Sequence, residues 1–142
     1  MPLDVEGVRE LFAPLTKADW PGFMTRVRDD VSWTVGNGVI HSFPVAGTHN
    51  KEAFLKAFKP LSECFDDPIP MNVTNIIPYP DGSGAAVELT VKVKAKDGSP
   101  FDNFYCWVTE FDDASPPKVK TVRAYLDTAL VKSVMEKNGH GE

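Results

Sequence analysis

The chain has 142 residues, of which 42% are hydrophobic and 25% charged, with a formal net charge of −5. That length suits one domain, read as residues 1–142 with a core over about 5–134, and a single core of that size needs no disulfide or metal staple. The acidic balance argues against nucleic acid as a partner, because phosphate binding calls for a basic face.

The two cysteines, Cys64 and Cys106, both fall in apolar patterns and read as buried free thiols rather than a framework. The N-terminus lacks a basic region followed by an apolar run, and no window reaches membrane-spanning length. The expectation is a cytoplasmic protein with reduced thiols and no membrane partner. Three scattered histidines and two unpaired cysteines match no metal-ligand spacing, so no metal and no cofactor is expected. No phosphate-cradling glycine loop and no nucleophile elbow occurs.

Taken in order, Val5, Val8, Leu11, Phe12 and Leu15 recur at helical spacing, with Pro14 weakening the last turn. Asp19 is placed to cap a second helix whose apolar positions are Trp20, Phe23, Met24 and Val27; Trp20 reads as core packing. Val31–Val35 is a short run of high β propensity, broken by Gly36, Asn37 and Gly38. The irregular stretch that follows carries His41 and His49. Asn50 can cap a third helix bearing Phe54, Leu55, Phe58, Leu61 and Phe65, ended by Asp67-Pro68 and Pro70.

From Met71 the pattern turns to strands. Met71–Tyr79 closes at Pro80-Asp81-Gly82. Ala85–Lys96 alternates Val87, Leu89, Val91 and Val93 against Glu88, Thr90, Lys92 and Lys94, a half-buried antiparallel strand whose lysines form a solvated face. Asp97-Gly98 is a tight turn. Phe101–Asp112 and Lys118–Leu126 are two further long strands, and after Asp127 a last helix carries Leu130, Val131 and Val134.

The Phe101–Asp112 strand is apolar on both faces. Phe101, Tyr105, Trp107 and Phe111 share one parity; Phe104, Cys106 and Val108 share the other. A strand with two greasy faces is covered on both sides. The expectation is a pocket on one face and a second copy of the chain on the other. Helices first and a strand meander after them imply an α+β fold, with three N-terminal helices packed on a curved, mostly antiparallel sheet.

This layout resembles the nuclear-transport-factor-2-like superfold and, within it, the SnoaL-like and ketosteroid-isomerase-like proteins, a cone-shaped cystatin-like roll. The residues that carry the resemblance are Asp19-Trp20-Pro21-Gly22-Phe23, Asp30-Val31-Ser32-Trp33, the Pro44-Val45-Ala46-Gly47 turn, Tyr105-Cys106-Trp107-Val108 and Val122-Arg123-Ala124-Tyr125-Leu126-Asp127-Thr128. It spans about Val5 to Val134. The steroid isomerases' Tyr, general base and protonated Asp fall near Leu11, Trp33 and Trp107, and the His of SnoaL-type cyclases falls at Val122, so neither chemistry carries over. A Thr-His-Pro triplet common in relatives is Ser42-Phe43-Pro44 here.

The resemblance implies that the face bearing Asn103, Tyr105, Trp107 and Thr109 is concave, joined by Val122, Ala124 and Leu126 from the last strand. Candidate substrate-binding residues are therefore Trp33, Asn103, Trp107, Val122 and Leu126. Candidate acid/base residues are His41 on type, Asp127 at the cavity mouth and Tyr105 as a hydrogen-bond donor. Arg123 reads as a convex-face residue paired with a carboxylate on that face or across a dimer. The implied function is a small-molecule pocket protein, with cofactor-independent isomerase, cyclase or dehydratase chemistry on a lipophilic polyketide- or terpenoid-like substrate. A non-catalytic binder of a small apolar molecule and a dimeric protein-interaction module are the alternatives.

Overall fold

A computed structural model describes residues 2–36 and 42–140; His41 lies outside the described residues. Four helices and six strands occur among them, in the order α1 (Val5–Thr16), α2 (Trp20–Met24), β1 (Val27–Val35), β2 (Gly47–His49), α3 (Lys51–Ser62), β3 (Asn72–Pro78), β4 (Gly84–Lys94), β5 (Pro100–Phe111), β6 (Val119–Leu126) and α4 (Thr128–Lys137). No helix among the described residues is long and apolar enough to cross a membrane.

The helix starts follow from side-chain caps. Asp4 Oδ1 accepts from Gly7 N at 2.8 Å, Asp19 Oδ1 from Gly22 N at 3.0 Å, Asn50 Oδ1 from Ala53 N at 2.8 Å and Asp127 Oδ1 from Leu130 N at 3.1 Å. Each satisfies a first-turn N–H that has no partner within its own helix.

The six strands form one sheet in the order β2-β1-β6-β5-β4-β3. The meander β3-β4-β5-β6 is antiparallel throughout, and β6 then lies parallel to β1. The fold is thus α+β, with helices packed on a curved, open, mostly antiparallel sheet. All four helices touch strands of this sheet, and α3 also meets α4. Val8, Leu11, Phe12 and Leu15 of α1 are buried, as the spacing predicted.

Two boundaries differ from the sequence expectation. The second helix stops at Met24, and Val27 belongs to β1, which begins four residues before Val31. Pairing with β6 draws the chain out: Val119 N donates to Arg26 O at 2.8 Å, and the Arg26 guanidinium donates to Pro117 O. The third helix ends at Ser62, so Phe65 sits in a turn rather than on the helix. There Phe65 N donates to Ser62 O, while Cys64 O accepts from Lys96 N at 2.8 Å, tying the turn to the end of β4. Leu55, read into the apolar stripe, is exposed.

The β5 alternation is clean. Phe101, Asn103, Trp107, Thr109 and Phe111 are buried on the helix-covered face, whereas Phe104 is 73% exposed on the other. Cys64 is buried, but Cys106 is only half-buried, because it stands on the uncovered face. Arg123 is exposed on that face too, beside Tyr125 and Tyr79, and no ion pair joins it to a carboxylate of the same chain among the described residues.

Gly84 opens β4 against Thr109 and Tyr79. A Cβ there would run into the Thr109 carbonyl and the Tyr79 ring. Gly84→Ala should force β4 away from β5 and lower stability by about 1–3 kcal/mol. Urea denaturation measures this; an unchanged midpoint would mean the strands separate freely at that point.

Candidate ligand cavity

The covered face of the sheet does not pack completely. A partly open cavity of about 40 Å³ remains between sheet and helices. Its floor is Trp33 and Val35 of β1, Ala124 and Leu126 of β6, and Tyr105 and Trp107 of β5. The opposite wall is Phe54, Phe58 and Leu61 of α3, closed by Trp20 of α2 and Val131 of α4. Larger hollows on the outside, such as one of about 540 Å³ beside Pro2 and Tyr79, are shallow and gather no convergent groups.

The register explains why a void survives. Ala124 of β6 is paired with Trp107 of β5 on one side and Val35 of β1 on the other. A single methyl at that point leaves space that a larger side chain would fill. Aromatic rings surround it. Trp107 meets Trp33 edge-on with centroids 5.2 Å apart, and lies 6.0–6.5 Å from Phe12, Phe23, Trp20 and Tyr105. Trp33 stacks on Phe54 at 3.9 Å, and Phe54 stacks on Phe58 at 5.6 Å. Such offset and edge-on pairs add about 0.5–1.5 kcal/mol each beyond burial.

Polar groups are few. Trp20 Nε1 donates to Ile69 O at 2.9 Å. The indole nitrogens of Trp33 and Trp107 are buried and have no acceptor among the described residues. An unpaired buried donor costs about 1–3 kcal/mol. Tyr105 is the one ionisable side chain on the wall among the described residues. Burial raises its phenol pKa well above the usual value, and a hydrogen bond with Asn103 offsets only part of that. It is therefore a neutral hydrogen-bonding group at any physiological pH.

The structure divides the sequence-derived site residues into two groups. Trp33, Tyr105, Trp107 and Leu126 all line the cavity. Asn103 and Val122 are buried on the same face but do not reach it. Asn103 instead anchors the start of α4: its Oδ1 accepts from Asp127 N at 3.1 Å and Phe104 N at 2.8 Å, and its Nδ2 donates to Asp127 O at 3.4 Å. Asp127 turns its carboxylate to the first turn of α4 as a cap and is not on the cavity wall. His49 pairs with the Val45 carbonyl at 3.0 Å. Among the described residues no group of His, Cys, Asp and Glu is arranged to hold a metal.

The α3 wall escaped the sequence reading. Phe54, Phe58 and Leu61 have the spacing of a packing stripe, and nothing in that spacing separates a helix that seals a core from one that borders a void. Trp20 likewise reads as core and serves both roles, packing on Phe58 at 4.8 Å while bounding the cavity.

No family model matches the chain, and no curated protein matches it in sequence. Solved structures do match in shape. An NTF2-like protein from Burkholderia thailandensis E264 superposes with a TM-score of 0.71 at 20% identity, over 92% of this chain and 95% of the other. TerC, crystallised with polyporic acid, gives 0.71 at 18% identity over 93% and 97%. PrhC from Penicillium brasilianum NBRC 6234 gives 0.75 at 8% identity over 97% and 91%. At these identities the likeness shows the fold alone: this chain has the NTF2-like fold.

Separate roles for Asn103 and Asp127 give distinct outcomes. Asn103→Leu should lower stability by about 2–3 kcal/mol, because the Asp127 and Phe104 amides lose their acceptor. Asp127→Ala should lose about 1 kcal/mol as a missing cap, whereas Asp127→Asn keeps the cap and should stay within a few tenths of wild type. Thermal denaturation of the three variants checks this; equal losses for Asp127→Asn and Asp127→Ala would show that the charge, not the cap, matters.

Proposed function

We propose that this chain is a small-molecule-binding protein of the SnoaL-like type, whose cavity takes a compact, neutral, lipophilic molecule. The observation that carries this reading is the wall: aromatic and aliphatic throughout, with Tyr105 as its one ionisable group among the described residues. Small-molecule sites are typically apolar with a few placed polar groups. Isomerase, cyclase or dehydratase chemistry by proton transfer needs a group that titrates near neutral pH against the substrate. Tyr105, held protonated by burial, is not such a group. Binding is thus better supported than acid–base catalysis. That TerC was crystallised with polyporic acid lends support to a small-molecule site in this fold.

Size limits the ligand. A cavity of about 40 Å³ holds only two or three waters as it stands. Entry of a ring system requires the half-buried Trp20, Phe58, Tyr105 and Leu126 to move outward. That favours a molecule of one or two rings over a long chain.

All three tryptophans of the chain line this cavity, so its intrinsic fluorescence reports occupancy directly. Titration with naphthalene should shift and quench the emission, with an affinity unchanged between about pH 5 and pH 9 because no wall group among the described residues titrates there. Ala124→Leu fills the void and should abolish the response. No response in the wild-type protein, or an equal response in Ala124→Leu, would contradict the reading. A steep change in affinity near neutral pH would instead favour an acid–base site.

The uncovered face supports a second part of the proposal, a homodimer. Phe104 is 73% exposed, Ile77 54% and Tyr125 49%, and they border the half-buried Cys106, Val108 and Ala86. Contiguous apolar patches of this kind mark interfaces. Arg123 on β6 and Glu88 on β4 flank the apolar β5 row on opposite sides. A second copy turned about an axis along β5 therefore sets a positive flank toward an acidic one. Sedimentation should give a dimer at micromolar concentration and a monomer for Phe104→Asp; a wild-type monomer would refute the dimer.

A further inference from the structure

On the α2 side the cavity is closed by a single layer of side chains. Beyond that layer lies an outer hollow of about 390 Å³, between α2 and the segment that follows α3, bordered by Pro21, Ser62, Phe65 and Pro68. Trp20, Phe58 and Ile69 line this hollow and the inner cavity alike, so these three residues are the partition between the two. Trp20 and Phe58 are half-buried, whereas Trp33, Phe54 and Trp107 deeper in the cavity are buried. The outer hollow gathers no groups that would hold a ligand, and an entrance needs none.

Resting on the binding reading above, we propose that this partition is the ligand's door, that Trp20 is the side chain that swings, and that its bond to the Ile69 carbonyl is the latch. The other two members are held in place. Ile69 stands between Pro68 and Pro70, whose rings fix the backbone on either side of it. Phe58 rides on the twelve-residue α3 and stacks on Phe54. Trp20 instead opens a helix of only five residues, two positions after Ala18, whose φ of 59° lies in the left-handed region. A side chain with a Cβ is strained there, and such backbone collects at clamps and switch points. One polar bond holds the ring shut, from Trp20 Nε1 to Ile69 O at 2.9 Å. When the ring swings into the outer hollow its N–H takes a water, so that bond is exchanged rather than lost. The sheet side offers no such freedom, because β1, β5 and β6, which carry Trp33, Tyr105, Trp107 and Leu126, are each paired on both edges.

Stopped-flow mixing with naphthalene tests this, since emission from Trp33 and Trp107 reports arrival and departure even when Trp20 is replaced. Trp20→Phe keeps a ring but removes the latch. Association and dissociation should both quicken by the same factor, about threefold or more, with Kd unchanged, because a door alters rates in both directions equally. Ser62→Phe narrows the outer hollow without touching the cavity wall, and should slow both rates by about threefold or more at the same Kd. Were Trp20 only a wall residue, its replacement would change dissociation and Kd together and leave association as it was; that result overturns the door. Association rates equal to wild type in both variants also overturn it and place the entrance elsewhere on the cavity. Should Trp20→Phe fail to fold, Ser62→Phe decides alone, and an unchanged association rate is then sufficient refutation. If naphthalene leaves the wild-type emission unaltered, the binding reading itself fails and the inference falls with it.

Discussion

The covered face of this protein depends on one side chain, the indole of Trp107. It stands at the middle of β5, the most extensively paired strand, and its ring touches aromatic residues from α1, α2, β1 and β5 itself. Three layers of the fold meet there: the first helix through Phe12, the second through Trp20 and Phe23, and the sheet through Trp33 and Tyr105. Flat rings packed at angles of about 50–85° fill space less evenly than branched aliphatic side chains do. With Ala124 as the neighbour on β6, the remainder is a cavity instead of a solid core.

This arrangement costs stability. Packing density in protein interiors is high, and an unfilled void forfeits dispersion contacts along its lining. Two buried indole N–H groups without acceptors add to that penalty. A sequence selected for stability alone would place a larger residue at position 124 and a phenylalanine at position 33 or 107. The opposite face carries a parallel tension, since Phe104 gains nothing from burial in the isolated chain.

Much of the fold was legible from sequence because it follows from local rules. The caps Asp19 and Asn50 were placed from residue type and position alone, and each makes the expected bond. The β4 and β5 alternations gave the strand faces, and family resemblance told which face was concave. What local rules missed were decisions made by distant partners. Val27 left its helical pattern because β6, some 90 residues later, offers it a strand to pair with. Phe65 left the third helix because Cys64 is tied to Lys96. The site itself was half legible. Tyr105, Trp107 and Leu126 were found through the sheet's period of two with the concave face taken from the resemblance, and Trp33 through the resemblance alone, whereas Phe54 and Phe58 were hidden because a helix that borders a cavity carries the same apolar stripe as one that borders none.

The central claim is that the space beside Trp107 is a ligand site. A crystal structure of the protein soaked with iodobenzene tests it most directly, because anomalous scattering locates the iodine without ambiguity. The account predicts a single strong peak enclosed by Trp33, Trp107 and Leu126, with Phe58 or Trp20 displaced outward. A cavity that stays empty while iodine collects on the Phe104 and Tyr125 face would contradict it.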